Sequence, residues 1–184
     1  MKINTKTGLI EEIDYIPSPN MDERPEGTDI DLLVIHSISL PPNEYGGHWI
    51  EKLFTNTLPA NEHPYFKEIE GMEVSSHVLI QRDGKIIQFV PFHKRAWHAG
   101  ESSYDGRATC NDFSIGIELE GTDADTFENE QYQQLVMLID SLCASYTSIT
   151  KERIAGHSDI SPGRKTDPGT GFDWTILSDR LKNA

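Results

Sequence analysis

Side chains able to do chemistry are concentrated in one segment near the C-terminus. Residues 156–169, GHSDISPGRKTDPG, place an imidazole, an ammonium group and two carboxylates among two prolines and three glycines. Such turn-forming residues predict a loop. Side chains in loops more often belong to functional sites than to the packed core. His157 and Asp167 offer the nitrogen and oxygen ligands that zinc accepts, and Lys165 lies two residues before the carboxylate. A metal site here would need at least one further ligand from elsewhere in the chain.

His36 is the candidate for that further ligand. It follows four apolar residues that predict a buried strand, and a residue at the end of such a strand points to where loops converge. Two histidines and one carboxylate would leave a fourth tetrahedral position for water, the pattern of a catalytic zinc site. Spacing alone leaves open an alternative, in which His36 is an ordinary hydrogen-bonded histidine and Asp167 only forms a turn. We interpret two spare histidines, His77 and His98, as supporting or core residues.

Glu118 is the candidate for proton transfer. In residues 113–120, FSIGIELE, apolar and polar side chains alternate, so a strand would carry Glu118 on its polar face. Partial burial there would raise the pKa of Glu118 and suit it to take a proton from water and pass it to a leaving nitrogen. Glu120 points the same way and is the alternative base. Both could instead be surface charges on an edge strand, which we favour for Glu120 because Gly121 follows in an apparent turn.

Charged and aromatic side chains are further candidates, for stabilising the transition state and for binding substrate. Lys165 would supply a fixed positive charge to an oxyanion, although a solvated loop lysine is the usual alternative. Trp97, in a predicted loop, could stack on the apolar face of a sugar or pack beneath the loop. Arg107 and Arg164 could hold substrate carboxylates, or be ordinary surface arginines.

Hydrophobic periodicity predicts the strands that would position these residues. Residues 1–30 are turn-rich and predict an irregular lead-in with room for one short edge strand. Strands are predicted at residues 31–36, at 74–81 and 85–90 as a hairpin turning at Asp83-Gly84, at 113–120, and at 153–155.

Helices are predicted between these strands. Apolar residues recur at helical spacing around residues 49–54, from Tyr132 to Tyr146 with Asn129 or Thr126 as the N-cap, and around residues 174–181. The order of elements predicts an α/β (α+β) fold, with a central mixed β-sheet and flanking helices. At 184 residues we expect one domain, residues 1–184.

Composition limits the possible partners. The chain has 30 acidic and 16 basic residues and a formal charge of −14, which argues against nucleic acid and anionic membranes as partners. No apolar run approaches membrane-spanning length, and no apolar signal core follows Met1, so we expect a cytoplasmic protein. The spacing of Cys110 and Cys143 suggests neither a disulfide nor a cysteine-ligated metal.

Four segments together resemble a known family. Residues 33–42 (LVIHSISLPP), 96–100 (AWHAG), 111–121 (NDFSIGIELEG) and 156–169 are similar to the AmpD type of N-acetylmuramoyl-L-alanine amidase. The resemblance runs from about Pro17 to about Trp174. The wider superfamily includes phage amidases and peptidoglycan recognition proteins, and the resemblance implies their fold.

The resemblance implies a zinc enzyme of cell-wall recycling. Its reaction would be hydrolysis of the bond between the lactyl group of 1,6-anhydro-N-acetylmuramic acid and the L-alanine of the stem peptide. The residues that match the family's motifs are His36, His157 and Asp167 as ligands of one Zn²⁺, Glu118 as proton acceptor and Lys165 as stabiliser of the transition state. The expected partner is an anhydromuropeptide, with no obligate protein partner.

The chain also departs from the family pattern. Ser37 stands where members of the type have asparagine, and basic residues expected near Glu73 and Thr109 are absent. The resemblance therefore leaves Ser37, Trp97, Arg107 and Arg164 as the substrate-binding candidates. Two alternatives are a muropeptide-binding module without activity and a periplasmic amidase that acts on intact peptidoglycan.

Overall fold

A six-stranded mixed sheet organises the computed structural model, which describes residues 1–183. The strands are β1 Ile3–Asn4, β2 Leu9–Ile10, β3 Asp14–Tyr15, β4 Met21–Glu23, β5 Leu32–Ile38, β6 Val78–Ile80, β7 Ile86–Gln88, β8 Lys94–Ala96, β9 Ser103–Tyr104, β10 Arg107–Ala108, β11 Ser114–Glu120 and β12 Ile154–Gly156. The helices are α1 Trp49–Phe54, α2 Pro64–Glu68, α3 Asn129–Ser145, α4 His157–Ile160 and α5 Trp174–Lys182. The sheet order is β12-β5-β11-β6-β7-β3, which confirms the predicted α/β (α+β) architecture.

β5 and β11 form the parallel centre of this sheet. The apolar residues 32–35 of β5 are fully buried, as a strand covered on both faces requires. β11 pairs in parallel with β5 on one side and β6 on the other, so the interpretation of Glu118 and Glu120 as charges on an edge strand is wrong. β5 also continues to Ile38, beyond its predicted end at His36.

The hairpin predicted around Asp83-Gly84 is confirmed as β6 and β7, which pair antiparallel. Asp83 Oδ1 accepts a hydrogen bond from the backbone N–H of Lys85, and Gly84 has φ 84°, in the left-handed region that favours glycine. Its strands are shorter than predicted, because only residues 78–80 and 86–88 are paired.

α3 and α5 cover one face of the sheet. The apolar stripe of α3, from Tyr132 to Leu142, packs with Ile115 and Ile117 of β11 in the largest core cluster, and α5 joins the same core. The N-cap of α3 is Glu128 rather than either predicted residue, because the side chain of Gln131 accepts from the Glu128 N–H in a capping box.

α1 and α2 lie over the other face, beside β6 and β7. Their residues Leu53, Phe54 and Phe66 share one core cluster with Leu79 and Ile87. α2 has no counterpart among the predicted helices. No helix within residues 1–183 combines the length and the apolar character needed to cross a membrane.

The lead-in contains more regular structure than predicted. β1 and β2 pair with each other, β3 adds a parallel edge strand to the sheet beside β7, and β4 pairs antiparallel with β8. These strands of two or three residues hold the N-terminal segment against the sheet.

Candidate active site

Strand register brings three candidate residues to one edge of the sheet. Glu118 of β11 lies beside His36 of β5, with His36 Nδ1 4.0 Å from Glu118 Oε1. Gly156, the last residue of β12, pairs with Ile35 on the other side of β5. His157 follows as the first residue of α4, so the predicted loop 156–169 begins with one helical turn. The carboxyl ends of parallel strands thus build the site, as in other α/β proteins.

Three ligand atoms face one another here. His36 Nδ1 and His157 Nδ1 are 2.9 Å apart, and Asp167 Oδ2 is 3.1 Å from the first and 3.0 Å from the second. His157 Nε2 is 3.1 Å from the carbonyl oxygen of Ala99, which can only accept, so the proton of the neutral ring is on Nε2. The Nδ1 lone pair of His157 therefore faces the Asp167 carboxylate. A cation between two such acceptors would stabilise the arrangement.

The donor set of this His–His–Asp triad (His36, His157 and Asp167) fits zinc. Ligands about 2.0–2.1 Å from a tetrahedral zinc ion are about 3.3 Å from one another, close to the separations seen here. Burial lowers the pKa of His36 to about 4, which leaves the ring neutral at neutral pH, as metal ligation requires. The triad thus offers two imidazole nitrogens and one carboxylate oxygen to a metal ion.

Glu118 is buried beside the triad with one oxygen unused. Within residues 1–183 its Oε2 has no hydrogen-bond partner. Burial, and then the charge of Asp167, raise the pKa of Glu118 well above its usual value, in agreement with the desolvation expected from the sequence. A carboxyl group in this state can exchange a proton nearer to neutral pH than an exposed glutamate.

Glu120 has a structural position instead. The prediction that it is a surface charge is wrong, because it is only 3% exposed. One of its oxygens accepts from the backbone N–H of Gly46 at 2.6 Å and the other from the N–H of Arg82 at 3.1 Å. Glu120 therefore ties two loops to the end of β11, and each of its oxygens is held by a backbone hydrogen bond.

The triad opens into a cleft of about 320 Å³. Ser37, Trp97, Glu118 and Lys165 line it together with the triad, so the structure brings these predicted residues together. The facing wall is apolar and comes from β5, α1, α2 and their flanking segments: Leu40, Leu53, Phe54, Tyr65, Ile69, Met72 and Val74. This wall was not predicted, although proline at the first position of α2, after the capping His63, is a sequence signal for a helix start.

Arg107 and Arg164, which we predicted as substrate anchors, are not among the residues that line this cleft. Nη2 of Arg107 donates to both carboxylate oxygens of Asp31, which precedes β5, so Arg107 is at the opposite end of β5 from the triad. Arg164 donates to the carbonyl oxygens of Ala99 and Glu101 and braces their loop against α4. Both guanidinium groups are occupied by structural contacts.

The turn after Asp167 depends on a glycine. Gly169 has φ 79°, and a Cβ there would overlap the backbone of Asp123 in the neighbouring loop. Gly163 has almost the same φ, 78°, but a Cβ there would meet nothing within 4 Å. We expect Gly163→Ala to cost about 1–2 kcal/mol of backbone strain, and Gly169→Ala to lower the free energy of unfolding by clearly more. Urea unfolding of both variants measures the difference, and equal losses would contradict the importance of the close approach.

Comparison with known proteins places the chain in a family. A family model described as N-acetylmuramoyl-L-alanine amidase (Amidase_2) matches residues 26–170, which is most of the chain. The triad, the buried glutamate and this match agree, and the chain belongs to the N-acetylmuramoyl-L-alanine amidase family.

Particular relatives define the type of amidase. The chain is 57% identical over 159 residues to the 1,6-anhydro-N-acetylmuramyl-L-alanine amidase AmpD of Escherichia coli K12, with 86% of each chain covered. It is similar to a crystal structure of a selenomethionine AmpD derivative, with a TM-score of 0.93, 52% identity, and 97% of this chain and 98% of that chain covered. The resemblance to the AmpD type is thereby confirmed.

A more distant relative has been solved with a ligand. The N-acetylmuramyl-L-alanine amidase AmiD from E. coli, in complex with the substrate anhydro-N-acetylmuramic acid-L-Ala-D-γ-Glu-L-Lys, has a TM-score of 0.60 and 28% identity to this chain. The match covers 88% of this chain and 65% of that one.

Proposed function

We propose that this chain is a zinc-dependent amidase of peptidoglycan recycling. Its substrate would be a 1,6-anhydro-N-acetylmuramyl-peptide, cut between the lactyl group and the L-alanine of the stem peptide. The observation that carries the proposal is the His–His–Asp triad beside the buried Glu118, in a cleft open to a ligand. The similarity to AmpD of E. coli, whose name states this substrate, supports the choice of bond.

The triad would hold the metal through His36 Nδ1, His157 Nδ1 and Asp167 Oδ2. A zinc ion in such a site supplies a lowered pKa for water and polarises a carbonyl oxygen. Burial keeps the imidazole of His36 neutral at neutral pH, so this ligand is ready to bind a metal.

Glu118 would move the proton that hydrolysis requires. Its carboxylate takes a proton from the attacking water as the new C–O bond forms, and returns it to the alanine nitrogen as the C–N bond breaks. The products are the anhydromuramic acid carboxylate and a free peptide amine. The burial that raises the pKa of Glu118 makes both transfers accessible to one group near neutral pH.

Lys165 would stabilise the oxyanion that forms when water adds to the lactyl carbonyl. It lines the cleft, and its charge acts on both Glu118 and His36. No ion pair within residues 1–183 uses its ammonium group, so this charge is available to a ligand. Ser37 and Trp97 line the same cleft and remain our candidates for contacts to the muramyl group.

A mass-spectrometric assay tests the proposal. Zinc-loaded protein is incubated with 1,6-anhydro-N-acetylmuramyl-tripeptide and, separately, with intact peptidoglycan. We expect free tripeptide from the first substrate and much slower release from the second. Tight binding without cleavage would instead support a binding module, and faster cleavage of intact peptidoglycan would support a cell-wall amidase. Action in the cytoplasm remains a prediction that cell fractionation can test.

A further inference from the structure

His98 contacts a metal ligand from outside the triad. Its Nδ1 is 2.9 Å from His36 Nε2, the ring nitrogen that faces away from His157 and Asp167. On the other side of the ring, His98 Nε2 is 3.2 Å from Ser114 Oγ. The ring of His98 thus connects the central strand β11 to His36.

The donor and the acceptor in each of these hydrogen bonds can be assigned by starting from Ser114. Ser114 Oγ is 2.6 Å from the carbonyl oxygen of Cys110, which can only accept, so the hydroxyl hydrogen points there. Ser114 Oγ is then the acceptor for His98 Nε2–H, which leaves a lone pair on His98 Nδ1. That lone pair accepts the proton of His36 Nε2, and the neutral ring of His36 is left with its lone pair on Nδ1.

We propose that His98 is a positioning residue, which holds His36 in the tautomer whose Nδ1 lone pair faces His157 and Asp167. The inference rests on the metal site of the proposed function and extends it to a residue outside the His–His–Asp triad. His157 is fixed in the same way by the carbonyl oxygen of Ala99, the residue after His98. One segment, residues 98–99, therefore orients both histidine ligands.

The protein holds this segment in place from two sides. Asn111 Oδ1 accepts from the backbone N–H of His98 at 3.2 Å and from that of Ala99 at 2.8 Å. Gly116 of β11 makes room for the ring, because a Cβ there would lie 2.5 Å from His98 Cγ. A side chain at position 116 would have to displace the imidazole, which accounts for a glycine in the middle of a buried central strand.

Two substitutions of His98 separate acceptor chemistry from packing. His98→Asn places a carbonyl oxygen near the position of Nδ1 and keeps an acceptor for His36, whereas His98→Leu fills space without one. We expect the zinc dissociation constant, measured by chelator competition, to rise about 10- to 100-fold in His98→Leu and by much less in His98→Asn. His48→Leu, at a histidine whose side chain is 79% exposed, is the control and should bind zinc as the wild type does.

A second readout does not depend on activity or on metal. Nitrogen-15 NMR of the metal-free protein reports which ring nitrogen of His36 carries the proton. The wild type and His98→Asn should show it on Nε2, and His98→Leu should show a mixture of tautomers. If the wild type binds no zinc, the proposed function fails, but this spectrum still decides the role of His98.

Gly116 provides an independent variant in case His98→Leu does not fold. We expect Gly116→Ala to weaken zinc binding because it displaces the ring, and to have little further effect in a His98→Ala background. The proposal would be overturned if His98→Leu bound zinc as tightly as the wild type and kept the wild-type tautomer of His36. Equal losses in His98→Leu and His98→Asn would also overturn it, since they would show a packing role alone.

Discussion

Replacing Glu118 with glutamine is expected to lower kcat by about 10²- to 10⁴-fold, the usual contribution of a positioned general acid–base group. Glutamine has the size of glutamate but cannot accept the proton of water. Because Glu118 lies 4.0 Å from His36 Nδ1 and is not one of the triad, zinc content by elemental analysis should stay at one ion per chain. The measurement is kcat for release of tripeptide from anhydromuramyl-tripeptide by zinc-loaded protein.

The matched control is Glu120→Gln, on the same face of β11. Both oxygens of Glu120 accept backbone hydrogen bonds, so we expect lower stability and a turnover within a few-fold of the wild type. If Glu120→Gln lost activity and Glu118→Gln kept it, the roles of the two glutamates would have to be exchanged.

The pH profile of the wild type gives a second check on Glu118. A general base works only when ionised, so activity should fall as the pH drops through its pKa. Burial and the neighbouring Asp167 raise that pKa, which moves the acidic limb to a higher pH than an ordinary glutamate would give. In Glu118→Gln the limb that belongs to this group should disappear from the residual activity.

The backbone of the site could be predicted because burial leaves a periodic pattern. The apolar run of β5 predicts a strand covered on both faces, and the helical stripe of α3 predicts the face that packs on the sheet. The alternation in β11 predicts a strand, although its polar face is buried as well. These patterns do not show which strands pair with each other. The position of β11 between β5 and β6 depends on contacts between segments that are distant in the sequence. For this reason the spacing of His36, His157 and Asp167 left a metal site and ordinary histidines equally open, and the family resemblance decided between them.

The contacts and the burial of charged side chains could not be predicted, because they depend on partners that only the fold brings close. Arg107 meets Asp31 at one end of the sheet, and Arg164 meets the carbonyl oxygens of Ala99 and Glu101. Glu120 is buried because two backbone N–H groups converge on it. The sequence contains each charge, but the arrangement of its partners is a property of the tertiary structure.

Loss of one metal ligand is expected to have the second large effect. Asp167→Ala removes the carboxylate that lies about 3 Å from both imidazoles and leaves two ligands, too few for a stable zinc site. We expect the wild type to bind one zinc ion per chain and Asp167→Ala to bind none. Hydrolysis should be lost together with the metal. Chelation of the wild type should likewise abolish hydrolysis, and added zinc should restore it.

Thermal unfolding with and without zinc checks this expectation independently of activity. At free zinc about 1,000 times its dissociation constant, binding to the folded state alone stabilises the wild type by about 4 kcal/mol. Asp167→Ala should show no comparable rise in Tm. The control is Asp159→Asn, in the same segment, because Asp159 Oδ2 accepts from the backbone N–H of Gly156 at the start of α4 and is not one of the triad. That variant should lose some stability but keep its response to zinc, whereas a zinc response retained by Asp167→Ala would place the metal elsewhere.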